Sequence, residues 1–156
     1  MTVLSKLPNR YEEGAYGVVF FDEYDCAVKL FKRRASAPEE HIRAVFQSEV
    51  EAYMIATQSE ELRALVPEFF GAIQCEKVLD ETGKDISHEF HLSIGYKMRK
   101  IDGEFIKSGL QELILKSAFK KAGIHHTVDA SILYDEDGLV KCMVDIATRE
   151  FELWHS

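Results

Sequence analysis

A lysine within an apolar stretch is the first candidate for chemistry. Lys29 has apolar neighbours on both sides, in the sequence Ala27-Val28-Lys29-Leu30-Phe31. A lysine side chain is seldom buried without a partner, because an unpaired charge is costly to remove from water. The ammonium group of Lys29 therefore either faces solvent or meets an anion, such as a carboxylate or a phosphate.

Two glycines upstream of that lysine could bring backbone N–H groups close to a phosphate. Gly14 and Gly17 lie in a short segment before a run of strand-forming side chains. Glycine allows close approach of the backbone to a ligand, and successive N–H groups in such a turn bind anions. The same two residues also suit an ordinary hairpin turn. They predict a phosphate site only in combination with other residues.

Two carboxylates complete this set of residues. Glu49 lies on the apolar face of a predicted helix, where side chains recur every three or four residues, while Glu51 points away. A buried Glu49 would be the partner of Lys29; a one-residue error in the register would place it at the surface instead. Asp145 follows the apolar stretch 139–144, where an acid either binds a metal or phosphate or forms a turn. The apolar face of the helix consists of Ile42, Val45, Phe46, Val50, Tyr53 and Met54.

The composition indicates one folded domain. The chain has 156 residues, 46% of them apolar and 29% charged, which is enough to form a core without disulfides or a metal. The net charge of −8 argues against nucleic acid as a partner.

No apolar leader or membrane-length apolar run is found, which predicts a cytoplasmic protein, of a bacterium or of a host cell, with no membrane partner. Cys26, Cys75 and Cys142 are predicted to be buried and reduced.

The first half of the chain predicts a hairpin and a helix. Residues 16–21 and 26–31 are rich in β-branched and aromatic side chains and flank a polar turn, as in a β-hairpin. The segment from Ser36 to Glu39 has the residues of a capping box, with proline in the first turn. We therefore expect a helix that begins there and ends near Gln58.

The middle of the chain predicts a second hairpin. Residues 69–79 are followed by a turn and by residues 90–98, which alternate strictly between apolar and polar side chains. Both strands are expected in the same sheet as the first hairpin.

The last part predicts a second helix and a third hairpin. Ser108 opens another capping box, so a helix of about four turns is expected to end at Gly123. Its apolar face would contain Leu110, Leu113, Ile114 and Ala118. Residues 132–134 and 139–144 flank an Asp- and Gly-containing turn, which predicts the third hairpin.

The order of these motifs resembles the protein-kinase fold. The stretch from Gly14 to Phe20 is similar to the glycine-rich loop, and Ala27-Val28-Lys29 to the motif of the phosphate-binding lysine. The resemblance, which covers residues 10 to about 150, implies that Lys29 holds the α- and β-phosphates of ATP and pairs with Glu49. It also implies that Asp145 binds Mg²⁺. The nucleotide-binding residues that it implies are Gly14, Gly17, Val19, Ala27, Lys29, Met98 as the gatekeeper, and Arg99 and Ile101 of the hinge.

The later motifs depart from the family pattern. Kinases place a catalytic Asp five residues before a magnesium-binding Asn, and the corresponding residues here are His126 and Ser131. Asp129 lies in the same loop, so the acceptor hydroxyl would be oriented by Asp129, by His126 or by His125. Ser131 would join Asp145 at the metal.

The resemblance implies an α+β fold in a single domain of residues 1–156. Residues 10–101 would form a kinase-like N-lobe, a five-stranded antiparallel sheet with one long helix, and residues 102–156 a reduced C-lobe of one helix and a β-hairpin. The implied function is ATP and Mg²⁺ binding with phosphate transfer to a protein, as in serine/threonine kinases. The alternative is an inactive, pseudokinase-like module that acts through a protein partner, similar to reduced bacterial effector kinases. The C-terminal segment 148–156, with Trp154, would either plug the core or dock a partner.

Overall fold

The computed structural model describes residues 2–22 and 24–151 and has the predicted α+β composition. Its described residues form two compact units: unit 1 comprises 2–22, 24–46 and 70–100, and unit 2 comprises 47–69 and 101–151. The strands and helices, in chain order, are β1 (Thr2–Ser5), β2 (Tyr11–Glu13), β3 (Gly17–Phe21), β4 (Cys26–Lys32), α1 (Glu39–Gln58), β5 (Phe69–Ile73), β6 (Cys75–Leu79), β7 (Phe90–Arg99), β8 (Ile106–Lys107), α2 (Leu113–Lys121), β9 (Ser131–Tyr134) and β10 (Val140–Val144).

The main sheet has five strands in the order β2-β3-β4-β7-β5. The pairs β2–β3, β3–β4 and β4–β7 are antiparallel. Strands β3 and β4 are the predicted first hairpin, which is confirmed. The polar turn between them is held by Asp22, whose carboxylate accepts hydrogen bonds from the backbone N–H groups of Tyr24 and Cys26 at 2.9 and 3.0 Å.

The two faces of this sheet bury different side chains. One face forms an apolar cluster with strands β1 and β6, and its residues include Leu4, Val18, Phe20, Val28, Leu30 and Val78. On the other face, Phe31 and Tyr96 contact Phe46 from the first part of α1, with ring centroids 5.8 and 6.4 Å apart. The apolar cluster and the aromatic contact with α1 therefore lie on opposite faces of the sheet.

Helix α1 begins and ends close to the predicted residues. The backbone N–H of His41 donates to the carbonyl of Pro38 at 3.0 Å, which places Pro38 in the first turn. The predicted apolar face is buried at Ile42, Val45 and Tyr53, but Met54 is 47% exposed. Its prediction as a core residue is wrong, because Ala52 and Ala56 lie in the buried stripe instead.

The predicted second hairpin is wrong in part. The stretch 69–79 is two strands, of which β5 joins the main sheet, whereas β6 pairs in parallel with β1. Strand β1 was not predicted, because the short segment Thr2–Ser5 shows little alternation. It has a packing role nonetheless, since Leu4 is only 5% exposed and shares the apolar cluster with Val78.

Unit 2 contains the predicted third hairpin, which is confirmed as the antiparallel pair β9–β10, with the short strand β8 added to β9. The predicted start of the second helix at Ser108 is wrong. The Ser108 backbone N–H donates to the carbonyl of Ala130 at 3.0 Å, so the chain remains extended there. Helix α2 starts only at Leu113, after Glu112 with a positive φ of 60°, and is nine residues long, about two and a half turns.

The three cysteines are free and buried, as predicted. Burial raises the pKa of the Cys142 thiol to about 12 and also raises the pKa of Cys75. Because the thiolate is the reactive form, we expect Cys142 of the folded protein to resist a thiol reagent such as DTNB at mildly alkaline pH. All three thiols should react at once in denaturant. Fast labelling of Cys142 under native conditions, detected by mass spectrometry, would contradict its burial.

Among the described residues no helix is both long and apolar enough to cross a membrane. The prediction about the C-terminal segment 148–156 falls largely on residues 152–156, which lie outside the described ranges.

Candidate functional site

Four of the predicted nucleotide-binding residues lie on one face of the unit 1 sheet. Val19 is paired with Lys29 across β3 and β4, and Ala27 is paired with Met98 across β4 and β7. Directly paired residues have side chains on the same face, and so do residues two apart along a strand. The four side chains therefore share a face, the one opposite the apolar cluster around Leu30.

The glycine-containing hairpin lies close to the lysine strand. The Gly14 N–H donates to the carbonyl of Gly17 at 2.8 Å, which closes the turn between β2 and β3. A Cβ atom on Gly17 would lie 2.7 Å from the carbonyl oxygen of Leu30 and 3.4 Å from Cε of Lys29. Gly17 is thus required by the close approach of β4, and the Lys29 side chain lies directly against the hairpin.

Lys29 is half-buried and its ammonium lies 5.0 Å from the centre of the Phe31 ring. This distance is within the range of a cation–π interaction, which is stronger where water is partly excluded. Ala27 and Met98 of the same face are each 8% exposed. The face therefore combines one half-buried cation with small and apolar side chains, of which Ala27 and Met98 are buried.

The predicted hinge begins at Arg99, the last residue of β7. The Arg99 guanidinium lies 5.1 Å from the Phe70 ring centre, and the Lys100 N–H donates to the carbonyl of Asp25 at 2.7 Å. The backbone donor of Lys100 is therefore engaged in the fold.

In unit 2, Glu49 and Tyr53 lie one turn apart on the buried side of α1. Glu49 is 8% exposed and Tyr53 is 1% exposed, so the predicted burial of Glu49 is confirmed. Burial raises the pKa of the Tyr53 phenol well above its ordinary value, and the carboxylates of Asp145 and Glu49 raise it further. The pairing of Glu49 with Lys29 of unit 1 stays a prediction.

Asp145 has an unusual backbone conformation and three partners within unit 2. Its φ is 64°, a left-handed conformation that aspartate adopts more readily than most residues but that often marks functional positions. Its N–H donates to the Tyr53 hydroxyl oxygen at 3.1 Å. Ser131 Oγ donates to Asp145 Oδ2 at 3.1 Å, and Lys107 Nζ lies 3.6 Å from the same oxygen. Asp145 and Ser131, predicted as metal ligands, are therefore neighbours.

The predicted acceptor-orienting residues are also neighbours. His126 Nε2 lies 3.2 Å from Asp129 Oδ2, and Lys107 Nζ donates to the backbone carbonyl of Asp129 at 3.1 Å. The backbone of His126 pairs with that of Ala147, two residues after Asp145. Lys107 thus joins the His126–Asp129 pair to Asp145, and these groups form one polar cluster, which we call the Asp145 cluster: Lys107, His126, Asp129, Ser131 and Asp145.

The Asp145 cluster could bind a metal ion only together with a ligand, such as a phosphate, that supplies most of the coordinating oxygens. Within the described ranges no three His, Cys, Asp or Glu side chains lie close enough together to hold a metal by themselves. Mg²⁺ is usually bound by one or two carboxylates together with phosphates and waters. Asp145 is 48% exposed and Lys107 is 72% exposed, and such exposed ion pairs contribute little to stability. A divalent cation with bound phosphates could therefore take the place of the Lys107 ammonium.

The Tyr53 hydroxyl should contribute measurably to stability. We expect Tyr53→Phe to lower the free energy of unfolding by about 1 kcal/mol, because the Asp145 N–H loses its acceptor. The matched control is Tyr24→Phe, in which the ring is 72% exposed and little should change. Urea denaturation of both variants measures the difference; equal midpoints would show that the hydroxyl does not hold Asp145.

Sequence reasoning missed two residues of this site. Lys107 lies in the two-residue strand β8, which has no recognisable pattern, and its role depends on the pairing of β8 with β9. Tyr53 was assigned to the apolar face of α1, where its ring does stack on Phe69 at 5.3 Å. Its hydroxyl contact with Asp145 joins residues that are far apart in the sequence, and no local signal predicts it.

No family model matches the sequence, and no curated protein matches it significantly.

Proposed function

We propose that the protein is a minimal kinase-like protein that binds ATP with Mg²⁺ and transfers phosphate to a protein. The observation that carries the proposal is the shared face of Val19, Ala27, Lys29 and Met98, paired in register across β3, β4 and β7. Small and apolar side chains on such a face suit an adenine ring, and a half-buried ammonium suits phosphate oxygens. The close contact of Gly17 with the Lys29 strand supports the same role.

The roles of the residues follow from charge. Lys29 would neutralise phosphate oxygens, and its effect is larger where aromatic and apolar neighbours reduce hydration. Asp145, with Ser131 hydrogen-bonded to it at 3.1 Å, would hold the magnesium ion. When bound, Mg²⁺ supplies positive charge that stabilises the phosphoryl group during transfer.

Phosphate transfer requires an oriented acceptor. In the proposed step the acceptor oxygen forms a bond to the γ-phosphorus, the bond between that phosphorus and the bridging oxygen breaks, and ADP leaves. The acceptor proton passes to the carboxylate of Asp129 or to the imidazole of His126, which lie 3.2 Å apart. Either group could hold the hydroxyl in place, because positioning accounts for most of this catalysis.

A second candidate function is a pseudokinase-like binding module without catalysis. It is favoured by the position of Lys107 Nζ, 3.6 Å from Asp145 Oδ2, where the ammonium already neutralises the proposed metal ligand. Such a protein would act through a protein partner. The two candidates differ in whether Mg²⁺ changes nucleotide affinity.

Asp145→Asn tests the magnesium role. Asparagine tolerates a positive φ, so the fold should persist, while one anionic ligand is lost. We expect Mg²⁺ to strengthen ATP binding by the wild-type protein. The gain in affinity caused by Mg²⁺ should be at least about tenfold smaller in the variant, which corresponds to about 1.4 kcal/mol of binding free energy. Asp137→Asn, in the exposed β9–β10 turn, is the matched control. An equal effect of Mg²⁺ on Asp145→Asn and the wild type, by calorimetry, would exclude Asp145 as the ligand.

A further inference from the structure

Two histidines join the first turn of α1 to the sheet of unit 1. His41 belongs to this turn, and its Nε2 lies 3.1 Å from the hydroxyl oxygen of Tyr16, in the turn between β2 and β3. His91 belongs to β7, and its Nδ1 lies 3.3 Å from Oε1 of Glu39 in the same turn of α1. The start of the helix is therefore attached to two separate parts of one sheet, each time through an imidazole ring.

The contact between His41 and Tyr16 has a cation beside it. The two half-buried rings have centroids 5.7 Å apart, and the Arg34 guanidinium lies 5.4 Å from the centre of the Tyr16 ring. Arg34 also donates a hydrogen bond to the Ala15 carbonyl at 2.8 Å. A neutral imidazole can accept a hydrogen bond from the phenol, whereas an imidazolium can only donate one. A proton on His41 would therefore reverse this hydrogen bond and add a second positive charge near Arg34.

His91 is enclosed more completely, since only 5% of it is exposed. Three charged side chains act on it: Glu39, Arg33 and Arg43. The Glu39 side chain is 58% exposed, and its carboxylate also lies 4.0 Å from the Arg43 guanidinium. A proton on His91 would therefore be buried where two cations oppose it and one exposed carboxylate, shared with Arg43, favours it.

Both histidines consequently resist protonation in the folded protein. Burial lowers the pKa of His41, and the Arg34 guanidinium lowers it further. Burial also lowers the pKa of His91, and the opposing effect of Glu39 does not reverse the shift. Glu40, the other acidic residue of this turn, is exposed to solvent, which screens its charge.

Acid therefore favours detachment of this turn. A histidine whose pKa is lowered in the attached state binds protons more readily when it is detached and hydrated, with an ordinary pKa of about 6.5. The stabilising contribution of both contacts is complete above that pH. It is lost as the pH falls through the lower pKa values of the attached state.

We propose that the first turn of α1 is a pH-sensitive clamp: neutral His41 and His91 hold it against the β2–β3 turn and β7, and their protonation in mild acid releases it. The clamp limits the motion of the β2–β3 turn, and Gly17, the next residue, lies against the Lys29 side chain. An effect of pH on ATP binding through this turn rests on the proposed function; the clamp itself does not.

Hydrogen–deuterium exchange of the full-length protein without nucleotide, followed by mass spectrometry, tests the clamp at about pH 7.5 and about pH 6.0, on either side of the ordinary histidine pKa. Exchange rates are corrected for the intrinsic effect of pH on amide exchange. The test variant combines His41→Gln with His91→Gln, which keeps polar side chains but removes both titrating rings. The matched control is His88→Gln, at an exposed histidine of unit 1, and residues 131–144 of β9 and β10 serve as an internal reference.

In the wild type and in His88→Gln, we expect the corrected exchange of residues 11–17 and 38–43 to rise at least about threefold from the higher to the lower pH. The reference segment should not change, and the double variant should show no such rise. A rise of the same size in the double variant, no rise in the wild type, or an equal rise in the reference segment would overturn the proposal.

NMR titration of the histidine ring protons in the wild type tests the clamp independently of whether the double variant folds. His41 and His91 should each titrate at a lower pH in the folded protein than in concentrated urea, where both rings are hydrated. A midpoint for either histidine at or above its value in urea would contradict the clamp. Neither measurement uses nucleotide, so failure of the protein to bind ATP would overturn the proposed function alone.

Discussion

Replacement of Lys29 by alanine should remove most of the affinity for ATP. The substitution deletes the cation on the sheet face shared by Val19, Ala27 and Met98, and with it the charge-assisted hydrogen bonds expected to the phosphates. We expect the dissociation constant of Mg²⁺–ATP to rise at least about a hundredfold, equivalent to about 2.7 kcal/mol. Calorimetric titration of the wild type and the variant measures the change.

The control for this prediction is Lys77→Ala, the same substitution at an exposed lysine of β6 in the same unit. It should bind ATP as tightly as the wild type. Thermal unfolding of all three proteins checks that the folded state is intact. If Lys29→Ala binds ATP as well as Lys77→Ala does, phosphate is not bound by Lys29 and the proposed nucleotide face is wrong.

The substitution Gly17→Val should destabilise the fold more than any other change considered. Valine favours strands by intrinsic propensity, so the residue type alone would predict a neutral or favourable effect. A Cβ at this position would lie 2.7 Å from the Leu30 carbonyl oxygen, and a backbone atom in a paired strand cannot move aside easily. We expect a loss of about 3 kcal/mol, at the upper end of overpacking penalties, measured by urea denaturation.

Ala15→Val, in the same turn but exposed, is the control for the glycine substitution. It introduces the same side chain at an exposed position, and its unfolding midpoint should match that of the wild type. An unchanged midpoint in Gly17→Val would show that β3 and β4 are not packed so closely. The presence of glycine at position 17 would then have to be explained by ligand binding alone.

Elements with strong periodicity could be predicted from the sequence. The β3–β4 and β9–β10 hairpins alternate and flank turns rich in Asp or Gly, and α1 combines a proline in its first turn with an apolar face that is buried at Ile42, Val45 and Tyr53. In each case the local preference and the burial in the structure agree. Glu49 was predicted as buried from the register of that face.

Elements that depend on distant contacts could not be predicted. Strand β1 is four residues long and pairs with β6, a partner that no local pattern indicates. At Ser108 a capping-box sequence predicted a helix, but the segment extends along β9 and the helix begins only at Leu113. Strand pairing prevailed over a local capping preference, and three residues of the predicted apolar face are exposed: Leu110, Leu113 and Ile114.

In the candidate site, too, contacts between distant residues could not be predicted from the sequence. No sequence pattern indicated the register of β4 against β7, and the strict alternation over residues 90–98 is broken in the structure: a bulge between Leu30 and Lys32 places Phe90 and Met98 on opposite faces. Lys107 joins the Asp145 cluster through a two-residue strand, and Tyr53 reaches Asp145 through a single hydroxyl. Both contacts depend on tertiary structure, and the order of motifs along the sequence does not predict which distant residues meet.

Nucleotide binding by the wild-type protein is the central claim, and calorimetric titration of ATP with and without Mg²⁺ tests it most directly. We predict saturable binding of one nucleotide per chain that strengthens when Mg²⁺ is present, because Lys29 would neutralise phosphate charge directly and Asp145 would hold the Mg²⁺ ion that neutralises the rest. A well-folded protein, verified by circular dichroism, that shows no binding at millimolar ATP in either condition would contradict it.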